Sequence, residues 1–415
     1  MVCNSESTVH YALCYHCDLL SELPAITNHY KAICPRCHTR LARGSLNMKR
    51  DTIIYSVCAL TMLLLACCFI FINIRVVGNT NNLNLLNISD ILYQDNYVSL
   101  VLVFVLFVLV SPVLLLLIQI IVCCELPLSK FRKRDLMILY DKLQHWTMSE
   151  IFMAGVLVSF VKLTNYGDIG INQAFWAFCL FIIWQLKSTI TFSTRQIWDE
   201  IASNNFVKTP LVAGRIGIRQ NIRLCLCCHA ILPAEQAHCP RCKRKGKLRE
   251  RDKLQWTIAL LITSFLLYIP ANLFGIMNTL FLGSTSSSTI IDGVIYMWQE
   301  GDYPVALVIF TASIIIPVLK IIALTWLCYF VLVIRRKTWN ECMKMSRLYK
   351  MVEFIGRWSM IDIFVVAVIS ALIRNGELIS VYPDIGAVFF AAVVVITMIA
   401  SHLYDSRLIW DRHKG

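Results

Sequence analysis

The sequence predicts an all-α polytopic membrane protein made of two homologous modules, each a small β ribbon followed by four transmembrane helices. Three observations lead to this prediction. The chain of 415 residues is 57% hydrophobic and 16% charged, with a mean hydropathy of +0.63, whereas soluble domains average about 25% charged residues. It contains two cysteine quartets, and the stretch that follows the first quartet is repeated after the second.

Each cysteine quartet consists of two Cys-x2-Cys pairs, separated by 16 residues in the first quartet and by 10 in the second. Such a pair delivers two thiolates from one tight turn, and four thiolates suit tetrahedral zinc. We therefore predict two structural zinc ions in two β zinc ribbons. The predicted ligands are Cys14, Cys17, Cys34, Cys37, Cys225, Cys228, Cys239 and Cys242. A saturated site leaves no position for a substrate, so catalysis is not expected there. The alternative is a dithiol redox switch.

The repeat is long enough to be a duplicated half of the protein. Trp146–Phe152 recurs as Trp358–Phe364, and the halves then run in step to Arg195–Asp199 and Arg407–Asp411. We interpret the Trp-Asp ends as anchors at the membrane interface. The predicted domains are ribbon 1 at 1–50, transmembrane bundle 1 at 51–200, ribbon 2 at 201–255 and transmembrane bundle 2 at 256–415.

Eight apolar segments are predicted to cross the bilayer, which takes about 20 helical residues. They are 53–73, 98–124, 147–163, 172–193, 257–280, 304–334, 354–374 and 385–403. The third segment is the shortest and contains Glu150.

The distribution of Lys and Arg predicts the topology. Alternate loops are basic, whereas 76–97, 275–303 and 375–384 contain neither Lys nor Arg. By the positive-inside rule, both termini and both ribbons then lie in the cytoplasm, where disulfides are not expected. The net charge of +13 is therefore interpreted as a topology signal, and no nucleic-acid partner is expected.

Lys320 is the most unusual polar residue within an apolar segment. It lies about 22 Å of helix from either end of its segment, and charges at such depth usually serve a function. Pro317 is expected to kink the same helix. Ser313 precedes Pro317 by four residues. In this position its hydroxyl would simply donate a hydrogen bond to the backbone carbonyl that the proline leaves without a partner. Module 1 has Leu115 at the position of Lys320.

Two basic residues, Lys162 and Arg374, occupy equivalent positions near the outer ends of their segments. They are interpreted either as snorkelling to the interface or as binding an anionic headgroup or carboxylate. Asn165 would extend such a polar cluster. Thr397 would join it, or would bond to its own helix.

The duplicated modules, Gly356–Asp362 and Asp405–Asp411 resemble the paraquat-inducible protein A family over nearly the whole chain. The resemblance implies an inner-membrane component of a Gram-negative intermembrane lipid-transport system, with a periplasm-spanning MCE-domain tunnel protein as partner. A related branch, LetA, has a polar network inside its second bundle. The positions that match it are Lys162, Asn165, Ser313, Lys320 and Thr397. That branch carries an aspartate where Asn165 stands, and an amide cannot titrate.

The leading functional hypothesis is a non-enzymatic subunit that passes phospholipid-like molecules between the inner membrane and an MCE tunnel and so supports envelope integrity. No P-loop is present, so nucleotide use by this chain is not expected. The alternatives are a membrane scaffold or stress sensor and, in a different class, a membrane thiol oxidoreductase. The segments 74–97 and 275–303 are predicted to form a docking rim around a lipid exit, with Leu83, Leu85, Leu86, Ile290 and Ile291 available to the partner, or else to fold over their own bundle as a lid.

Overall fold

The computed structural model describes residues 10–23, 30–44, 47–76, 79–94, 97–125, 127, 129–163, 168–202, 206–207, 210–281, 284–301, 303–334, 337–372 and 379–411. Its strands are β1 (His10–Leu13), β2 (Leu20–Leu23), β3 (Lys31–Ile33), β4 (Arg40–Arg43), β5 (Ile72–Val76), β6 (Asn79–Leu83), β7 (Asp168–Ile171), β8 (Ile222–Leu224), β9 (Ile231–Pro233), β10 (Met277–Phe281), β11 (Ser284–Ser288) and β12 (Ile379–Pro383).

The α-helices are α1 (Met48–Cys68), α2 (Asn87–Gln94), α3 (Val98–Phe104), α4 (Ser111–Cys123), α5 (Lys130–Leu143), α6 (Ser149–Leu163), α7 (Gln173–Thr191), α8 (Thr194–Ile201), α9 (Arg251–Leu273), α10 (Ile290–Gln299), α11 (Tyr303–Phe310), α12 (Ile316–Leu332), α13 (Trp339–Trp358), α14 (Ile361–Leu372) and α15 (Ile385–Leu403). Short 3₁₀ turns occupy Gly217–Gln220 and Ser406–Ile409.

The predicted fold class is confirmed, because the chain is a mostly helical multi-pass membrane protein with two ribbon-plus-bundle modules. Seven helical stretches of the described residues are long and apolar enough to cross a membrane. They are Met48–Cys68, Val98–Cys123, Gln173–Thr191, Asp252–Leu273, Ala306–Leu332, Trp339–Leu372 and Ile385–Leu403. The eighth predicted segment, 147–163, corresponds to α6, whose apolar stretch Ser149–Phe160 is shorter.

Two predicted segments, 53–73 and 257–280, were placed too far along the chain. The helices α1 and α9 end at Cys68 and Leu273, and the chain continues directly into β5 and β10. Ile72 in β5 and Met277 in β10 are themselves apolar, so hydropathy alone does not separate helix from strand at these positions.

Each module carries a three-stranded antiparallel sheet at the end of its bundle opposite the ribbons, which we call the sheet end. The strand orders are β6-β5-β7 in module 1 and β11-β10-β12 in module 2. The last strand of each sheet comes from the connection between the module's third and fourth membrane helices, so the sheet ties the two hairpins of the bundle together.

The two modules meet along the central helices α6 and α14. A Cβ atom on Gly155 of α6 would lie 3.0 Å from the Cβ of Phe364 in α14. The Phe152 and Phe364 rings pack edge to face, with their centroids 5.7 Å apart. Every described side chain of α14 except the half-buried Asp362 is buried. The small residue in α6 therefore allows the close helix approach that joins the halves.

The prolines Pro112 and Pro317 each follow a π-helical turn, Val105–Val110 in module 1 and Thr311–Ile315 in module 2. Proline lacks an N–H and clashes with the preceding turn. The widened turn accommodates it inside an otherwise continuous helix, a feature frequent at functional positions.

The two ribbons are exchanged between the modules. Ribbon 1 shares its buried cluster with helices of bundle 2, including Leu324 and Tyr349. Ribbon 2 shares its cluster with bundle 1, including Leu115 and Tyr140. Each ribbon thus packs on the bundle of the other module.

Candidate functional site

The eight predicted ligands form two compact thiol quartets. Within each quartet the sulfur atoms all lie within 4.8 Å of one another, and all eight cysteines are buried. The Sγ atoms of Cys14 and Cys37 are 3.5 Å apart, and those of Cys225 and Cys242 are 3.4 Å apart. A tetrahedron with zinc–sulfur bonds of about 2.3 Å separates its sulfurs by about 3.8 Å. Both quartets therefore have the shape of a four-thiolate metal site.

The charges of the thiols also favour a cation. In ribbon 1, the hydrogen bond with Cys14 raises the pKa of Cys17 and lowers the pKa of Cys37. Four thiolates this close together repel one another when no cation lies between them. A divalent cation at the centre would stabilise all four thiolates. Their burial argues against a thiol oxidoreductase, because such chemistry needs an accessible thiolate.

The arginine of each Cys-Pro-Arg-Cys turn connects its ribbon to the opposite bundle. The Arg36 guanidinium lies 4.2 Å from the Trp410 ring centroid. Arg241 donates to the Trp198 carbonyl at 3.0 Å and to the Asp199 carboxylate at 2.6 Å. Trp198 and Trp410 are 1% and 2% exposed. The interpretation of these tryptophans as interfacial anchors is therefore wrong, because the exchanged ribbons cover them.

A buried charge cluster strengthens the contact between ribbon 1 and module 2. Arg249 donates to Asp18 at 2.8 Å and to Asp411 at 2.7 Å, and Asp18 is 0% exposed. His16 contacts the Ser406 hydroxyl through Nδ1 at 2.9 Å. Burial lowers the pKa of His16 to about 4, so its ring is neutral at physiological pH.

The predicted intramembrane polar residues are only partly brought together. Ser313, Lys320 and Thr397 are all buried in bundle 2. Lys320 donates to the Gly356 carbonyl at 3.4 Å, and Thr397 donates to the Val394 carbonyl of its own helix at 3.0 Å. Among the described residues, no hydrogen bond links the three. The Lys162 side chain, Asn165 and Arg374 lie outside the described part of the structure.

Bundle 2 contains a cavity of about 490 Å³ at its sheet end. We call it the sheet-end cavity. Its walls come from β10, β11, α10, α11, the following π-turn and α14. Ile276, Ile309 and Val366 supply apolar walls, whereas Ser313 and Asp362 border it from within the bundle. Pockets of roughly 300–1,000 Å³ bind small molecules, so the cavity has the size of a ligand site.

The corresponding space in bundle 1 is filled by larger side chains. From β5 to α4, elements of module 1 recur in module 2 at an offset of 205 positions, as the starts of β5 and β10 or of α3 and α11 demonstrate. The later repeat of Trp146–Phe152 as Trp358–Phe364 has an offset of 212. By this spacing Phe71, Ile88, Phe104, Phe107 and Val108 correspond to Ile276, Gly293, Ile309, Ala312 and Ser313. All five module 1 residues are buried, whereas a Cβ on Gly293 would meet no atom within 4 Å. Smaller residues thus create the cavity in module 2.

The metal sites give a direct prediction. Purified protein is expected to contain about two zinc ions per chain, because both quartets are complete. Cys34→Ser should reduce this to about one and unfold ribbon 1, as measured by elemental mass spectrometry and limited proteolysis. Cys227→Ser is the matched control, since this buried thiol lies beside a quartet but outside it. A metal content near zero in freshly purified protein would contradict the prediction.

Comparison with known proteins finds one family model that matches both bundles. The family model described as paraquat-inducible protein A matches residues 50–202 and 254–414. Intermembrane transport protein PqiA of Escherichia coli (strain K12) is 45% identical over 411 residues, which cover 99% of this chain and 98% of that protein. Lipophilic envelope-spanning tunnel protein A of the same strain is 28% identical, covering 98% of this chain and 92% of that protein.

A probable intermembrane transport protein of Haemophilus influenzae is 27% identical, covering 97% of this chain and 96% of that protein. No solved structure matches the chain. The family match consists of two separate stretches that correspond to the two bundles, which agrees with the internal duplication.

Proposed function

Because the chain belongs to the paraquat-inducible protein A family, we propose that it is a non-enzymatic inner-membrane subunit of an intermembrane lipid-transport system. It passes phospholipid-like molecules between the inner membrane and a periplasm-spanning MCE-domain tunnel protein, and it thereby supports envelope integrity. Each of its two ribbons holds one structural zinc ion. The names of the relatives, which describe intermembrane transport, support this proposal.

The sheet-end cavity is the observation that carries the proposal. A protein that only scaffolds a complex has no need of a cavity in its membrane bundle. Here one bundle is filled by phenylalanines and the other, with the same fold, is left open. The asymmetry fits different roles for the two bundles: bundle 1 stabilises the protein, and bundle 2 receives the lipid. The ribbons favour the same reading, since they pack on the bundles rather than standing free as docking modules.

The orientation follows from charge. The predicted loops 76–97 and 275–303 hold the strands β6, β10 and β11 and the helices α2 and α10 of the sheet end, and they contain no Lys or Arg. Strand β5, which ends as the first loop begins, contains Arg75. The positive-inside rule then assigns the sheet end to the periplasm and the ribbons and both termini to the cytoplasm. In this orientation the cavity lies on the side from which a periplasmic tunnel collects or delivers lipid.

The partner surface is narrower than the sequence predicted. Leu83, Leu85 and Ile290 are buried at 2%, 0% and 7% exposure, because they close over their own bundles. Leu86 and Ile291 are 46% and 48% exposed. These two residues hold equivalent positions in the two modules, and we propose that they form the contact with the MCE protein.

Lipid crosslinking tests the transport function. A phospholipid with a photoreactive group in its acyl chain should label the cavity wall on α14, around Ile369, when the full-length protein is illuminated in lipid nanodiscs. Peptide mass spectrometry would locate the label. Labelling confined to the membrane-facing surface, such as Leu64 at 65% exposure, would favour a scaffold that carries no lipid.

Lys320 provides a second test. Its stem packs against Gly356, where a Cβ would lie 2.9 Å from the lysine Cε. Lys320→Met keeps the length of the stem but removes the charge, so it should impair complementation of a detergent-sensitive deletion strain while leaving protein abundance and zinc content nearly unchanged. Thr397→Val is the control, because Thr397 bonds only to its own helix among the described residues. If Lys320→Met merely lowers abundance, the residue is structural.

A further inference from the structure

Helix α10 presents apolar side chains on two faces. Its inner face carries Ile290 and Met297, which are each 7% exposed and line the sheet-end cavity. Its outer face carries Ile291, Ile295 and Trp298 at the helical spacing i, i+4 and i+7, and all three are about half exposed. A helix that is apolar on both faces is poorly suited to water, and soluble proteins rarely expose large contiguous apolar patches.

The outer face of α10 ends close to a membrane-spanning helix. α10 ends at Gln299 and packs against α11, which begins at Tyr303. The Trp298 and Tyr303 rings meet edge to face, with their centroids 4.9 Å apart. Tyr303 lies three residues before the spanning stretch Ala306–Leu332, which is about 4.5 Å along a helix. Trp298 therefore lies near the depth at which aromatic residues mark the boundary between membrane and water.

The spanning stretch is long enough to hold α10 at this boundary. Its 27 residues rise about 40 Å as a helix, whereas the hydrocarbon core of a bilayer is about 30 Å thick. The helix thus extends into the headgroup layer, and α10 packs against its sheet-end portion, α11. Leu307, one turn after Tyr303 in α11, is 61% exposed. The outer face of α10 is therefore continuous with apolar side chains that face lipid.

The equivalent helix of module 1 has a different outer face. At the offset of 205 positions, Ile295 corresponds to Asp90 of α2, which is exposed. A carboxylate in the middle of that face favours contact with water. In α10 the only charged residue is Asp292, in the first turn, where it completes the helix cap. Because α10 also contains no Lys or Arg, burial of its apolar residues is what would draw it to lipid.

We propose that α10 lies in the headgroup layer of the periplasmic leaflet, with Ile295 and Trp298 buried in lipid. The apolar face of such an interfacial helix enters the boundary between headgroups and acyl chains by about 5–10 Å. Ile291, assigned above to the MCE contact, lies one turn before Ile295. The partner and the leaflet therefore meet on the outer face of α10.

This placement gives the sheet-end cavity a route to the membrane. The inner face of α10 is a wall of the cavity, so a helix in the headgroup layer brings that wall to the level of the leaflet. Lipid then passes between the leaflet and the cavity beside α10. This lateral route rests on the transport function proposed above, whereas the position of α10 does not.

Fluorescence quenching tests the position of α10. A fluorescent amino acid replaces Trp298 in the full-length protein, which is reconstituted in nanodiscs without a partner protein. Quenching by phospholipids with brominated acyl chains is compared with quenching by aqueous iodide. Thr285 on β11 is exposed and provides the water-facing reference position. We expect the lipid-to-iodide quenching ratio to be about tenfold higher at position 298 than at position 285, since an interfacial helix buries its apolar face.

A substitution taken from module 1 tests the cause. Ile295→Asp copies Asp90 and places a carboxylate in the leaflet, so the ratio measured at position 298 should fall about threefold or more. Thr285→Asp adds the same charge on the exposed strand β11 and should leave that ratio unchanged. Zinc content reports that each variant is folded. If Ile295→Asp does not fold, the comparison of positions 298 and 285 in the otherwise unmodified protein decides.

The outcomes separate the position of α10 from the transport function. Equal ratios at positions 298 and 285 would overturn the inference, because the outer face would then lie in water, as a protein-docking surface does. An undiminished ratio in folded Ile295→Asp would also overturn it, since the apolar face would not hold α10 in lipid. Acyl-chain labelling of α14 around Ile369 should fall in Ile295→Asp, and unchanged labelling would overturn the lateral route. A high ratio at position 298 without any labelling of the cavity would instead contradict the transport function.

Discussion

Replacing Gly293 with isoleucine is expected to abolish lipid transport while leaving the protein folded. The substitution copies Ile88, which fills the corresponding space in bundle 1 with 0% exposure. A side chain at Gly293 meets open space, because no atom lies within 4 Å of a Cβ built there. The new side chain therefore occupies the cavity without displacing the protein, and isoleucine is compatible with the helical backbone at moderate cost.

The measurement combines acyl-chain photolabelling of α14 with complementation of the deletion strain. Both should fall at least tenfold in Gly293→Ile, and a second filling variant, Ile309→Phe, should act in the same direction because it copies Phe104. Val294→Ile is the matched control, since Val294 belongs to the same helix but does not line the cavity. Normal transport by both filling variants would show that the cavity is not the lipid site.

Removing the Arg249 side chain is expected to produce the largest loss of stability. Arg249 joins Asp18 of ribbon 1 to Asp411 of module 2, and its side chain is 6% exposed. Arg249→Met leaves Asp18 buried without its cation, a change that costs about 3–5 kcal/mol in buried pairs. The expected result is a lower apparent melting temperature together with early proteolysis of ribbon 1.

A partial rescue would identify the cause of that loss. Adding Asp18→Asn to Arg249→Met removes the uncompensated charge and should recover part of the melting temperature. Lys247→Met is the control, because its ion pair with Asp252 is exposed and such pairs contribute little. If Arg249→Met melts like the unmodified protein, the cluster does not hold the ribbon on the bundle.

The local features of the fold were predictable from the sequence, whereas the long-range ones were not. Paired Cys-x2-Cys turns and apolar helices depend on neighbouring residues, so their spacing suffices. The exchange of the ribbons depends on contacts such as Arg241 with Trp198, which the chain order does not reveal. The sheets at the sheet end were missed because apolar residues of their first strands, such as Ile72, Met277 and Phe281, continue the hydropathy of the preceding helices.

The candidate site was also only partly accessible from the sequence. Lys320 and Ser313 stand out as polar residues in apolar segments, and both are buried. The cavity depends instead on absent side chains, such as the one missing at Gly293. A glycine in a helix is an ambiguous signal until the position of its neighbours is known. A residue-by-residue comparison of the two halves reveals which side chains are smaller in module 2, but only the fold identifies which of these positions face inward.

The exchanged ribbons also bear on the ancestry of the chain. In a single ribbon-plus-bundle unit with these contacts, the ribbon has no bundle on which to pack. Before duplication the unit would therefore have existed as a twofold symmetric homodimer, in which the ribbon of each subunit packed on the bundle of the other. Fusion of the two copies then removed the requirement for identical halves. One copy was free to accumulate phenylalanines and the other to lose bulk at Gly293 and Ala312, which a homodimer encoded by one gene cannot do.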